Sequence, residues 1–262
     1  MRTRVWILVG AAIACAVGIF LFPRIPQNEA YHHFADQRAW LGVPNCLDSL
    51  SNVFFLVVGA LGILFVARSK APSDAFIDSK ERWPYLLFFL AVALTAFGSA
   101  YYHLAPSDER LVWDRLPMSF GFASLLGAVI AERISVRAGL RLLLPLLIFG
   151  AGSVLYWNYT QERGQGDLRA YVLTQFGFLL MLVLLVALFA PRYTRGGELI
   201  VSLGIYALAK GSEALDRPIF AVGGIVSGHT LKHVAAAVSA YWILRMLRRR
   251  GPMAQNVSLP VS

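Results

Sequence analysis

The chain has 262 residues, 57% hydrophobic and only 15% charged, and its mean hydropathy is +0.60. An ordinary soluble domain carries about a quarter charged residues, so composition excludes that class and predicts an integral membrane protein. The formal net charge of +9 is distributed between apolar runs, which makes it a topology signal; nucleic acid is not an expected partner. Cys15 and Cys46 form no CxxC or metal-ligand pattern, and no disulfide framework is expected.

A helix that crosses a bilayer needs about 20 mostly apolar residues, and eight segments qualify. The first, 5–22, lies in "MRTRVWILVGAAIACAVGIFLFPR". Its basic start resembles a secretory signal peptide, but the apolar run is long for one and no clear A-x-A cleavage site follows. We read it as a retained anchor. The others are 48–67, 84–104, 116–132, 139–157, 170–190, 196–212 and 228–247. The third and sixth are unbroken apolar runs, whereas the fourth and seventh carry more small and polar residues, as helices inside a bundle do. The predicted fold class is therefore all-α: a polytopic transmembrane helix bundle with a seven-helix core and one extra N-terminal transmembrane helix. Residues 1–47 hold the anchor and an outer loop, 48–250 the membrane domain, and 251–262 a tail expected to be disordered. No internal repeat is present.

Eight spans put both termini on one side. That side holds 15 of the 24 basic residues, among them Arg2, Arg4, Arg137, Arg141, Arg248, Arg249 and Arg250, and the other side holds 7. Positive charge accumulates in the cytoplasm, so both termini are expected there. The basic "RMLRRR" end anchors the last helix near anionic headgroups.

On this topology the intramembrane polar residues fall together. The third segment ends "FGSAYYHL", with Ser99 and His103 four apart on one face near the outer surface. The next loop brings Asp114 to the outer start of the fourth helix. The last segment begins "GHTLKH", with His229 and His233 in its first turns. Each has a plainer reading alone. The histidine pair fits a hydrogen-bonded contact or a proton relay, Ser99 a bond to the preceding turn, and Asp114 a helix-start residue favoured by the dipole. Together, three histidines from two helices at one depth match a catalytic zinc site with three nitrogen ligands and an open fourth position. Such a metal acidifies its water and makes a nucleophile available at neutral pH.

The remaining polar residues have structural readings. His32 and His33 are adjacent, so their rings need not converge, and a surface pair is expected. Lys210, Glu213 and Asp216 recur at i, i+3 and i+6; Lys210 pairs with Glu213, and Lys232 snorkels outward or joins Asp216 or Glu213. Tyr101, Tyr102, Trp113, Trp157 and Tyr159 read as an aromatic belt at the outer interface.

The pattern Ser99-Ala-Tyr-Tyr-His103, then Asp114, then His229-Thr-Leu-Lys-His233 resembles the alkaline ceramidase family. That family belongs to the seven-helix zinc-dependent membrane hydrolases, which also include the adiponectin and progestin receptors. The resemblance covers about three quarters of the chain. It implies that His103, His229 and His233 are zinc ligands, that Asp114 is the general base, and that Ser99 steadies the water or the oxyanion. The implied reaction is hydrolysis of the amide of ceramide, a membrane lipid, to a sphingoid base and a fatty acid, at an active site on the outer (periplasmic or lumenal) face. The eukaryotic ceramidases also carry an acidic, Asn-containing calcium segment before the first core helix. Here that region reads "YHHFADQRAWLGVPNCLDSLSN"; Asp36, Asn45 and Asp48 offer oxygens but the acidic cluster is missing, so calcium is not expected. The alternatives are a zinc hydrolase of another N-acyl or ester lipid, a receptor or sensor with structural zinc, and, less well supported, a proton-coupled transporter.

Overall fold

The computed structural model describes residues 1–70 and 73–253, and within them all regular structure is helical. The helices are α1 (Arg2–Leu21), α2 (Cys46–Leu50), α3 (Val53–Arg68), α4 (Arg82–Leu104), α5 (Asp108–Arg133), α6 (Val136–Gln161), α7 (Arg169–Val172), α8 (Phe178–Leu188), α9 (Glu198–Ala214), α10 (Asp216–Gly223) and α11 (Gly228–Arg249). Each of the eight apolar segments coincides with one of these or with a contiguous pair. Five stretches are long and apolar enough to cross a membrane: Arg2–Leu21, Cys46–Arg68, Ser79–Leu104, Val136–Gln161 and Arg169–Leu188.

Surface polarity is inverted relative to a soluble bundle. Val53, Phe54, Val57, Leu61 and Leu64 form an exposed stripe along α3, and Leu90, Leu94 and Phe97 do the same on α4. Helical spacing of large apolar side chains on the outside is what a lipid-facing surface requires. The inside carries the polar groups. In α5 nearly every residue from Ser119 to Arg133 is buried or half-buried, and Ser119, Gly121, Ala123, Ser124, Gly127, Ala128 and Ala131 keep it slim. This helix lies between α4 and α6, with α8 also against it. Its low apolarity follows from its position, because it meets protein on most sides and little lipid.

Lipid tails are as apolar as leucine, so close packing holds membrane helices together more than water exclusion does. A Cβ built on Gly59 would stand 2.5 Å from the backbone nitrogen of Ala93, and one on Gly139 2.5 Å from that of Ala131. These contacts seat α3 on α4 and α6 on α5. The interior between them is filled by a cluster that includes Phe55, Phe89, Val92, Leu126, Val129, Leu182 and Leu244. By contrast α1 has only 6% of its apolar window buried, and it touches α7, α8 and the turn between them.

Several boundaries differ from the sequence reading. The fourth helix begins at Asp108, because the Ser107 side chain accepts from the Arg110 backbone N–H and Asp108 and Glu109 occupy the first turn. Asp114 consequently sits in the second turn and not at the helix start. A π-helical turn, Leu173–Gly177, joins α7 to α8, and α10 is an extra short helix closed by Gly224 in the left-handed region (φ 62°). Of the expected disordered tail, residues 254–262 lie outside the described residues. Gly251–Met253, however, is bonded to the Arg192–Thr194 segment through Thr194 N–H to Gly251 O (2.8 Å) and Met253 N–H to Arg192 O (2.9 Å).

The end of the bundle away from the histidines is closed by charge. The Arg250 guanidinium donates to Glu132 (2.8 Å), which also accepts from the Tyr85 hydroxyl (2.6 Å). Arg133 donates to the Phe189 and Gly196 carbonyls.

Candidate metal centre

His103 lies in the last turn of α4, His229 in the first turn of α11, and His233 one turn further on. Their rings form a nearly equilateral triangle, with centroids 4.8 Å apart for His103–His229 and 4.9 Å for each of the other two pairs. One nitrogen from each lies within 4.8 Å of the others, and all three residues are buried. Among the described residues this is the one such group of histidine, cysteine or carboxylate side chains.

Neighbouring elements fix each ring. Asn45, itself held at φ 45°, donates its side-chain amide to the His103 carbonyl (2.8 Å), which ties the start of α2 to the end of α4. The Ser51 hydroxyl donates to the Asp48 carbonyl (3.1 Å) and lies 2.8 Å from Nδ1 of His233. With its proton so placed, Ser51 accepts from Nδ1–H and leaves the lone pair of His233 on Nε2. Lys232 donates to Nε2 of His229 (2.8 Å), so this nitrogen also presents a lone pair. Gly228 lets α11 start against the turn between α9 and α10, where a Cβ would stand 2.2 Å from the Ser212 carbonyl oxygen. Asp216 then accepts from the His229 backbone N–H (2.8 Å).

The donor set fits a metal. Nε2 of His233 and both ring nitrogens of His103 are buried with no hydrogen-bond partner. Orphaned polar atoms are rare in native interiors, and each costs about 1–3 kcal/mol. Neutral imidazoles converging from two helices are a first-row metal's preferred ligands, and zinc is typical of a three-histidine set with room for a further ligand. A cation shared by the three rings would satisfy the unpartnered nitrogens of His103 and His233, and at His229 it would take the place of the Lys232 ammonium.

Next to the triangle lies a chamber of about 250 Å³. Its polar end includes Ser99, Asp114, His233, Lys232 and Glu213, and its apolar end reaches Phe88, Phe122 and Leu125. Along α4 the distance from Ser99 to Phe88 is eleven residues, or about 16 Å. Gly98 sets the polar end: a Cβ there would stand 1.9 Å from the Trp113 carbonyl oxygen, so the missing side chain lets α4 reach α5. Ser99 is thereby brought to face the Asp114 carboxylate.

The segment between α1 and α2 covers the histidines. Phe34 is buried, with its ring centroid 4.6 Å from His103 and 4.7 Å from His229. The loop is pinned by Ala35 N–H to Asp216 (2.8 Å) and by Arg38, which donates to Asp36 and to the Gly224 and Ile225 carbonyls. Hydrogen bonds from Arg38 hold the Asp36 carboxyl below its ordinary value. Burial, reinforced by Glu213, pushes the Tyr31 hydroxyl well above its own.

Sequence reasoning missed or misread some of these residues. Asp48 is fully buried and accepts from Ser227 (3.0 Å) and Thr230 (2.5 Å). It bridges chain positions some 180 apart, as Ser51 does, so no local pattern marks it. Tyr102 and Trp157 are buried at 1% and 0% exposure and are not belt residues; Tyr101, Trp113 and Tyr159 are exposed. His32 is engaged by the Tyr102 hydroxyl (2.9 Å) and Asp108 (3.1 Å). Lys210 pairs with Glu213 as expected, and Lys232 joins the same carboxylate (3.1 Å). Asp216 binds backbone and joins no ion pair with them. Both cysteines are free.

Comparison with known protein families and with curated proteins finds no match for the chain.

Proposed function

We propose that the protein is a zinc-dependent intramembrane hydrolase that cleaves the amide bond of ceramide-like lipids, releasing a sphingoid base and a fatty acid. One observation carries this reading: a triangle of three buried histidines, two of them with unpartnered nitrogens, adjoins a chamber whose polar end holds a carboxylate and a hydroxyl and whose far end is apolar. A purely structural metal site normally has four protein ligands, whereas three histidines would hold the metal here and His233 lines the chamber. The resemblance to the alkaline ceramidases in the order and spacing of Ser99, His103, Asp114, His229 and His233 supports the same reading.

In this proposal His103, His229 and His233 hold zinc, which when bound supplies a Lewis acid. Asp114 accepts a proton from the water that attacks the amide carbon, then delivers it to the nitrogen as the C–N bond breaks. Ser99 donates a hydrogen bond to the oxygen that becomes negative in the transition state. Phe34 and the outer loop keep bulk water from the histidines, which strengthens every charge interaction beneath them. The apolar end of the chamber receives an acyl chain.

The proposed topology has eight spans, with α1 added to a seven-helix core, both termini cytoplasmic and the site near the outer face. The distribution of Lys and Arg and the largely apolar outward faces of α3 and α4 support it.

The test is lipid hydrolysis by purified protein, with ceramides and other N-acyl and ester lipids as substrates, wild type beside Asp114→Asn. The variant is expected to retain zinc and lose activity by about 10²–10⁴-fold. Full turnover in Asp114→Asn would contradict the assignment of the base, and hydrolysis of esters alone would shift the substrate class.

A further inference from the structure

Arg115 follows the proposed base in the chain and is unaccounted for by the reaction. Its side chain is buried, with 5% of the residue exposed, and it lines the chamber. Nη2 donates to the Gln27 side-chain carbonyl (2.5 Å), while Nη1 is buried with no partner. The guanidinium is stacked among Trp157 (4.2 Å), Tyr171 (4.8 Å) and Tyr31 (5.6 Å), and no carboxylate among the described residues forms an ion pair with it.

The other cations of the chamber are matched. Lys210 and Lys232 both bind Glu213. Adding Asp114, the chamber holds three fixed cations against two carboxylates, before any metal is bound. A guanidinium in a low-dielectric interior normally takes a bidentate carboxylate or phosphate, and an unpaired one is costly. Aromatic stacking positions the group and does not neutralise it. Nη1 is left without a partner at the wall of the chamber that Arg115 lines.

We propose that Arg115 is the receptor for an acid group at the polar end of the lipid, so that the chamber takes acyl lipids bearing a carboxylate in preference to neutral ones. This rests on the proposed function for the position of the scissile bond. It either replaces neutral ceramide, as the preferred substrate, by amides whose amine half carries an acid, or leaves the amide neutral and makes Arg115 the holder of the released fatty acid. The shared chemistry is a carboxylate on a single apolar chain.

Binding of laurate, N-lauroylglycine and neutral N-lauroylethanolamine to the full chain in detergent distinguishes these. Each is measured with and without a chelator, for wild type, Arg115→Gln and Arg115→Lys. Wild type is expected to bind at least one acidic lipid about 10–100-fold more tightly than the neutral one, the range for a hydrogen bond to a charged group. The preference should survive chelation, disappear in Arg115→Gln and fall to an intermediate level in Arg115→Lys. N-lauroylglycine binding more tightly than laurate puts the acid beyond the scissile amide, and the reverse order makes it the product carboxylate. Equal binding of neutral and acidic lipids by wild type overturns the inference without recourse to a variant, as does a preference that vanishes on chelation. If the protein held no zinc and hydrolysed nothing yet kept the preference, the proposed reaction would fail while the acid-binding site stood.

Discussion

At the scale of single residues, the site depends on groups that hold histidines as much as on the histidines. Ser51 orients His233 by engaging Nδ1, and such outer partners typically contribute 10–100-fold in metal affinity. Ser51→Ala is expected to weaken zinc binding by about that factor while leaving the fold intact, measured by competition with a calibrated chelator; unchanged affinity would remove Ser51 from the centre. Asp36 makes a pH-dependent link. Its folded pKa is depressed, with Arg38 donating to it, so its stabilisation of the outer loop is present above the ordinary carboxylate pKa and lost as pH falls through the depressed value. Arg38→Gln relieves the depression, so residues 33–38 should exchange faster at neutral pH and show a weaker dependence on acid than in wild type. Hydrogen exchange across a pH series reads this directly, and coincident profiles would contradict it. The grouping of His103, His229 and His233 was legible in the sequence because helical spacing places His229 and His233 on one face, and the topology expected for the spans puts the end of the helix bearing His103 at the same depth. Ser51, Asp48 and Arg115 were not, because their meaning arises from partners far along the chain.

At the scale of elements, glycine determines how closely α4 and α5 approach. Gly98→Leu would drive a side chain into the Trp113 carbonyl, separating Ser99 from Asp114. The expected cost is about 1–3 kcal/mol of stability, together with loss of hydrolysis at retained zinc. Thermal unfolding in detergent and metal content together check this, and an unperturbed, active variant would refute the close contact. Helix existence was readable from apolar length alone. Helix starts were less so: Ser107 and Ser135 cap α5 and α6, and a cap followed by charged residues lies outside the apolar run that marks a span. The misreading of Trp157 and Tyr102 has the same origin. An aromatic near a helix end can face the headgroups or turn inward onto a buried arginine or histidine, and only packing decides between them.

At the scale of the whole molecule, the charged latch of Arg250, Glu132 and Tyr85 closes one end, while the outer loop closes the other over the histidines. Reporter fusions or cysteine labelling at each terminus should place both on the cytoplasmic side; opposite sides would mean that α1 does not span. The account turns on the metal, and the most direct measurement is zinc content of the detergent-purified protein, wild type beside His229→Ala. We predict about one zinc per wild-type chain, the ratio a single three-histidine site allows, and its loss in the variant. A fully folded wild type that takes up no zinc when zinc is offered would contradict the central claim.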